Sequence, residues 1–146
     1  MKIFLAAPFK NKIKNGILDE SYKQLLLNLK EIINNEGYDV HLALERENWG
    51  KDFWTDEECT KKDHDEIKDS FAIIAFLDST FSGGVHIELG WASEMKKKII
   101  ILTNKKDNLC SLIKGIKTIT DCEFIEFDEY LELYNKLTEE IKKWKN

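Results

Sequence analysis

Two patterns of apolar residues alternate along the chain. Short runs of consecutive aliphatic residues are typical of strands buried in a parallel sheet. Between them lie longer segments in which apolar residues recur every three or four positions, as on one face of a helix. The runs predicted as strands are 2–6, 38–42, 72–77, 98–103 and 123–127. The segments predicted as helices are 18–36, 55–70, 84–96, 109–114 and 129–145.

This alternation predicts an α/β fold. Strands that alternate with helices form a parallel sheet with right-handed crossovers and helices on both faces. We expect a three-layer, doubly wound, five-stranded parallel sheet of the flavodoxin or Rossmann-like kind, in the order 2-1-3-4-5. A length of 146 residues suits one core. Without a repeat or a linker, residues 1–146 are expected to form a single domain.

Composition and charge argue against two classes of binding partner, nucleic-acid polymers and membranes. The formal net charge is −5, and no stretch of Lys and Arg is interleaved with aromatic residues. A nucleic-acid polymer is therefore not an expected partner. No apolar run approaches the roughly 20 residues that span a bilayer, so no membrane partner is expected either.

The cysteines and the N-terminus predict a cytoplasmic protein. Cys59, Cys110 and Cys122 are odd in number and lack metal-ligand spacing, so we expect free thiols in a reducing compartment. Met1 runs directly into the first predicted strand without a charged leader and an apolar h-region, so we expect no signal peptide.

The residues best suited to bind a ligand or catalyse a reaction lie where the third predicted strand meets the following helix. Ser82, Gly83 and Gly84 form a turn whose backbone N–H groups, together with the helix dipole, favour an anion. Glu88 follows Gly84 by four residues and shares its helix face. The carboxyl end of a strand is where open α/β sheets bind ligands. The pattern predicts an anion site beside a carboxylate, although Ser82 also fits a simple N-cap.

Four segments in this order resemble the nucleoside 2-deoxyribosyltransferase superfamily, including its nucleotide N-glycosidase branch. The most specific is 82–92, which matches S/D-x-G-x-x-x-E-x-G-x-A. The others are the opening segment 2–9, Asp63 on the helix before the third strand, and 109–115. The resemblance covers residues 1 to about 115, most of the chain.

The resemblance implies two catalytic carboxyl groups. Glu88 would attack the anomeric carbon, and Asp63 would handle the proton on the leaving base. From the residues alone Asp63 lies on a charged helix face, and Asp65 is the alternative. A retaining reaction needs one ionised and one protonated carboxyl group. We therefore expect donors that keep Glu88 ionised and a raised pKa for Asp63. No cofactor is expected, because no metal or dinucleotide motif occurs.

The resemblance also implies how the sugar and its 5′ end are bound. Relatives that hydrolyse nucleoside 5′-monophosphates carry Ser at the position of Ser82, and those that exchange bases between nucleosides carry an acid. Lys10 matches a phosphate-contacting base of the hydrolases, although it also fits a solvated loop lysine. Phe4, Ala6 and Pro8 lie in the opening segment that borders the substrate. Phe4 replaces a family tyrosine, which favours tolerance of a sugar 2′-hydroxyl.

The segment containing Cys110, Ser111 and Leu112 resembles one that enters the neighbouring subunit's site in the family. The resemblance therefore implies a homodimer or larger assembly with shared active sites.

Aromatic residues suggest further contacts with a base. Trp49, Phe53 and Trp54 follow the second predicted strand and form either a base-stacking lid or a loop anchored by its own aromatics. Trp91 shares the face of Glu88, and we expect it in the core.

Three functions fit these observations. The first is an N-glycosidase that hydrolyses a ribo- or deoxyribonucleoside 5′-monophosphate through a covalent glutamate intermediate. The second is a nucleoside 2-deoxyribosyltransferase that exchanges bases. The third is a nucleotide-binding module without catalysis, because a fold does not determine a function.

Overall fold

The computed structural model describes residues 1–145. Its strands are β1 (Lys2–Ala6), β2 (Ile13–Lys14), β3 (Ile17–Leu18), β4 (Asp39–His41), β5 (Ala72–Leu77), β6 (Lys98–Asn104) and β7 (Cys122–Phe127). Its α-helices are α1 (Glu20–Asn35), α2 (Ala43–Arg46), α3 (Asp56–Asp69), α4 (Gly83–Glu94), α5 (Ser111–Lys114) and α6 (Tyr130–Lys143). Short 3₁₀ turns occupy Lys10–Lys12, Asn48–Gly50 and Ile116–Thr118.

The main sheet has five parallel strands in the order β4-β1-β5-β6-β7. This arrangement confirms the predicted fold class and the order 2-1-3-4-5, since the small hairpin β2–β3 lies outside the sheet. Every residue of β5 is buried, as expected for a central strand covered on both faces. Two apolar clusters, one built around Ile74 and the other around Ile73, reflect the alternation of side chains across the sheet.

Local capping explains where the helices beside the site begin. The Thr55 hydroxyl accepts from the Glu58 N–H, and the Glu58 carboxylate accepts from the Thr55 N–H. This reciprocal capping box confirms the predicted start of α3. Ser82 Oγ accepts from the Val85 N–H at 3.4 Å, so Ser82 is the N-cap of α4.

The hairpin β2–β3 is an element that the strand and helix pattern did not predict. Asn15 and Gly16 join its strands, and both have positive φ, at 52° and 75°. Two left-handed residues are the requirement of a type I′ turn, and Asn-Gly is its preferred sequence.

The segment after β4, expected to be irregular, contains the short helix α2 and a strained turn. Asn48, Trp49 and Gly50 all have positive φ, at 49°, 57° and 87°. A Cβ at Gly50 would lie 2.6 Å from Ile13 Cδ1. The hairpin therefore packs directly on this turn, whose backbone reversal brings the next residues back towards α3.

None of the helices within residues 1–145 combines the length and apolar character needed to cross a bilayer.

Candidate active site

A cavity of about 640 Å³ opens at the carboxyl ends of β4, β1 and β5. Its walls come from the segments that follow these three strands and from facing sides of α3 and α4. The lining side chains include Phe9, Lys10, Arg46, Glu47, Phe53, Trp54, Cys59, Asp63, Ile87, Glu88 and Trp91, together with the backbone of Gly84. Glu88 and Asp63, the two predicted catalytic carboxyl groups, therefore share one cavity.

Glu88 is half-buried in the cavity wall and has no hydrogen-bond donor among residues 1–145. Burial raises the pKa of its carboxyl group to about 8, and the nearby charge of Asp63 adds to the rise. Arg46 acts in the opposite direction on this pKa but does not offset the burial. At neutral pH, Glu88 of the free protein is therefore mainly protonated.

Asp63 lies in a polar cluster. Burial alone would raise its pKa, but His41 and Arg46 outweigh that effect and hold the pKa of Asp63 below its ordinary value. Arg46 Nη1 donates to Asp63 Oδ1 at 2.7 Å. His41 Nε2 lies 3.7 Å from the same oxygen, too far for a full hydrogen bond, so its contribution is electrostatic.

The protonation of this pair is the reverse of the sequence-based expectation. We expected an ionised Glu88 supported by donors and an Asp63 with a raised pKa. In the structure, burial and the charge of Asp63 raise the pKa of Glu88, whereas His41 and Arg46 lower the pKa of Asp63. Two carboxyl groups in one cavity still have separated pKa values, as acid–base chemistry requires.

Arg46 contacts both a carboxylate and an aromatic ring of the cavity wall. Its side chain is only 10% exposed, and its guanidinium lies between the Asp63 carboxylate and the face of Trp54, at 4.6 Å from the ring centroid. It is the sole arginine among the 22 basic residues of the chain. Nη2 lies 4.0 Å from Glu47 Oε1, beyond hydrogen-bonding distance, and the buried Nε has no partner within residues 1–145.

Glu47 and Cys59 form a second polar contact in the cavity wall. Glu47 is 1% exposed, and its Oε1 accepts from Cys59 Sγ at 2.9 Å. Burial and this carboxylate raise the pKa of Cys59 to about 11, so the thiol is protonated at neutral pH.

The residues of the predicted anion site are only partly in the cavity wall. Lys10 and Gly84 line it, whereas Ser82 and Gly83 lie just outside, at the N-terminus of α4. Lys10 is exposed, and no carboxylate of the described residues pairs with it. A lysine and the N-terminus of a helix in the lining of one cavity are groups that can provide a cation and N–H donors for an anion.

The opening segment contributes less directly than expected. Phe4 is 1% exposed and stacks on His41, with ring centroids 5.2 Å apart. Ala6 and Pro8 are also buried and do not line the cavity. Phe9, which sequence analysis did not select, is the residue of this segment whose side chain reaches the wall. Phe4 is therefore linked to the Asp63 cluster through its contact with His41.

Cys110, Ser111 and Leu112 are all exposed and do not line the cavity of their own chain. Leu112 is 86% exposed, which is unusual for a leucine at the start of a helix. This placement leaves the segment accessible to a second copy of the chain.

The aromatic residues divide between the cavity and the core. Phe53 and Trp54 line the mouth, as a stacking lid would, and are 56% and 39% exposed. Trp49 instead packs against the main core, with Lys23 Nζ 4.8 Å from its ring centroid. Trp91 packs against the apolar cluster around Ile73, as expected, and it also lines the cavity and contacts the His64 ring edge-on.

The chain is similar to proteins of known family and structure. A family model described as nucleoside 2-deoxyribosyltransferase matches residues 3–140. The CMP N-glycosidase BcmB of Clostridium botulinum is 33% identical, with a TM-score of 0.76 over 94% of this chain and 97% of that chain. BlsM, known from a solution structure, is 28% identical, with a TM-score of 0.82 over 97% of this chain and 90% of that chain. No curated protein matches the chain by sequence.

Proposed function

Because this chain belongs to the nucleoside 2-deoxyribosyltransferase family of enzymes, we propose that it hydrolyses the N-glycosidic bond of a nucleoside 5′-monophosphate. The products are the free base and ribose or deoxyribose 5-phosphate. One observation supports this proposal above the others: Glu88 and the anion site of Lys10 and Gly84 line a single cavity. A carboxylate and an anion site in one cavity suit a sugar phosphate.

In this proposal Glu88 is the nucleophile. Its ionised carboxylate attacks C1′, the C1′–N bond breaks, and a glycosyl ester forms through an oxocarbenium-like transition state. Water then hydrolyses the ester. The raised pKa makes the ionised carboxylate a stronger base and nucleophile, at the expense of its population at neutral pH.

The 5′-phosphate in this proposal occupies the end of the cavity beside α4. Lys10 supplies a cation there, and Gly84 lets the phosphate approach the backbone closely. Ser82 caps α4 through its hydroxyl and, being neutral, does not repel an anion. An acid at this position would favour a nucleoside with a free 5′-hydroxyl.

Base exchange is the second candidate function, and family membership supports it. A second base in place of water would resolve the same glycosyl ester. The neutral Ser82 and the basic Lys10 favour the phosphorylated substrate and hence the hydrolase. Cytidine 5′-monophosphate is the first substrate to test, because the similar structure BcmB is named a CMP N-glycosidase.

An assay of base release with several substrates distinguishes the three candidate functions. The purified chain is incubated with nucleosides and nucleoside 5′-monophosphates, with and without a second base, and free base is measured by chromatography. Release from monophosphates that is unaffected by added base supports the hydrolase. Nucleoside cleavage that needs a second base supports the transferase. Tight nucleotide binding by calorimetry, with no product after long incubation, supports a binding module.

We also propose that the chain acts as a homodimer or larger assembly. The exposed segment Cys110–Leu112 would then reach the cavity of a neighbour. Full activity in a species that light scattering shows to be monomeric contradicts this arrangement.

A further inference from the structure

The sequence alone predicted no role for Arg46. Its guanidinium has five N–H donors, and Asp63 takes one of them at 2.7 Å. Among residues 1–145, the nearest carboxylate to Nη2 is 4.0 Å away and Nε has no hydrogen-bond partner. The side chain is nine-tenths buried and lines the same cavity as Glu88. A buried cation with spare donors is suited to bind negative charge from a ligand.

Two contacts fix the plane of this guanidinium. Asp63 holds one edge, and the Trp54 ring covers one face at 4.6 Å. Because its position is set before a ligand arrives, the cation needs little reorganisation when charge develops beside it.

Asp63 is the alternative residue that could assist the departing base, by donating a proton to it. The contacts of Asp63 disfavour this role. A general acid must carry a proton before the bond breaks. The Asp63 carboxylate accepts a hydrogen bond from Arg46 and faces the His41 ring, an environment that stabilises its ionised form. An ionised Asp63 orients Arg46 but has no proton to donate.

We infer that Arg46 is a catalytic residue that stabilises the departing base through its N–H donors, while Asp63 is a positioning residue for Arg46. This inference rests on the proposed function. As the C1′–N bond breaks, its electron pair moves onto the base, and Arg46 hydrogen-bonds the base atom on which the negative charge collects. Glu88 forms the new bond to C1′. Water later gives its hydroxyl to C1′ and its proton to the base, so atoms and charge balance.

Leaving-group chemistry distinguishes the two roles. Cytidine 5′-monophosphate is compared with its 5-fluorocytidine analogue, whose base departs more readily because fluorine withdraws electrons. Arg46→Met is expected to lose roughly 10²–10³-fold in kcat on the cytidine substrate and at least fivefold less on the fluorinated one. Asp63→Asn is expected to lose activity by a smaller factor and to show a weaker form of the same dependence, because Asp63 acts through Arg46. Lys10→Met is the matched control, with equal losses on both substrates.

Two further variants test the same inference if Arg46→Met does not fold. Arg46→Lys retains a cation and is expected to show a weaker but similar leaving-group dependence. Arg46→Met combined with Asp63→Asn leaves no unpaired charge and is expected to keep the dependence of Arg46→Met. Circular dichroism and thermal unfolding establish which variants are folded.

Two results overturn the inference while leaving the proposed function intact. One is an equal loss on both substrates in every folded Arg46 variant. The other is rescue of Asp63→Asn, rather than of Arg46→Met, by the fluorinated base. If the unaltered chain releases base from no nucleotide at all, the proposed function itself fails.

Discussion

Arg46 and Asp63 are joined by a hydrogen bond of 2.7 Å across the cavity wall, and the consequences reach Glu88 on the facing helix. Asp63 stays ionised because of Arg46, and its negative charge adds to the burial that raises the pKa of Glu88. The proton of the free enzyme therefore lies on Glu88, the residue that must lose it to attack in the proposed mechanism.

The first prediction concerns the pH dependence of activity. Since the pKa of Glu88 is about 8, kcat/KM should rise with pH and level off above about pH 8. Asp63→Asn removes the negative charge that raises this pKa, so the midpoint should move to lower pH. A profile measured from pH 5 to 10 with both proteins checks this. A flat profile over pH 6–9 would exclude Glu88 as the titrating nucleophile.

The second prediction concerns stability. Glu88 has an ordinary pKa of 4.5 and a folded-state pKa of about 8. Between these values the unfolded chain has lost the proton and the folded one keeps it, so folding stability falls as pH rises through that window. Glu88→Gln removes this loss and should raise the free energy of unfolding at pH 7 by about 1–3 kcal/mol.

Urea titrations at pH 5 and pH 7 measure this effect, which should be larger at pH 7. The exposed Glu139→Gln on α6 is the control and should change little at either pH. Equal effects of Glu88→Gln at the two pH values would contradict the assigned pKa.

The third prediction concerns the choice between nucleotide and nucleoside. Ser82→Asp preserves the N-cap of α4, because Asp caps a helix as well as Ser. It also adds a negative charge beside the proposed phosphate site. The ratio of kcat/KM for the monophosphate to that for the nucleoside should fall at least about tenfold. Ser82→Thr, which keeps a neutral hydroxyl, should leave the ratio unchanged, and a similar fall in that variant would contradict the electrostatic explanation.

The fourth prediction concerns the turn below the cavity. Gly50 has a φ of 87°, and a Cβ there would meet Ile13 Cδ1 at 2.6 Å. The Ile13 side chain can turn aside, but the backbone strain stays, so Gly50→Ala should destabilise the fold by about 1–2 kcal/mol. Gly115→Ala, at φ −89°, should cost much less. Denaturant unfolding of both variants tests this, and equal stabilities would remove the argument for strain.

The sequence predicted the sheet well because the signals for its strands are local. Strand β5 has the predicted bounds, and the capping box at Thr55 starts α3 where expected. The hairpin also had a local signal, Asn15-Gly16, which lay between strands too short to show a periodicity.

The site was predictable only in part. Glu88 and Gly84 share a helix face, so their spacing alone brings them to one cavity. Arg46 reaches Asp63 from a different element, 17 positions earlier in the chain, and only tertiary packing creates that contact. The directions of the pKa shifts depend on this contact and on burial, neither of which a helical or strand period encodes. The one available hint was that Arg46 is the sole arginine.

The charged groups that line the cavity are also unevenly distributed. Lys10 and the start of α4 supply a cation and N–H donors, whereas Glu47, Asp63 and Arg46 supply two carboxylates and one cation beside Trp54. A molecule with a dianionic head and a flat heterocyclic tail enters favourably in one orientation, because the reverse orientation sets the dianion against two carboxylates. In the proposed reaction, the enzyme thereby selects, before any bond breaks, which end of its substrate faces Glu88.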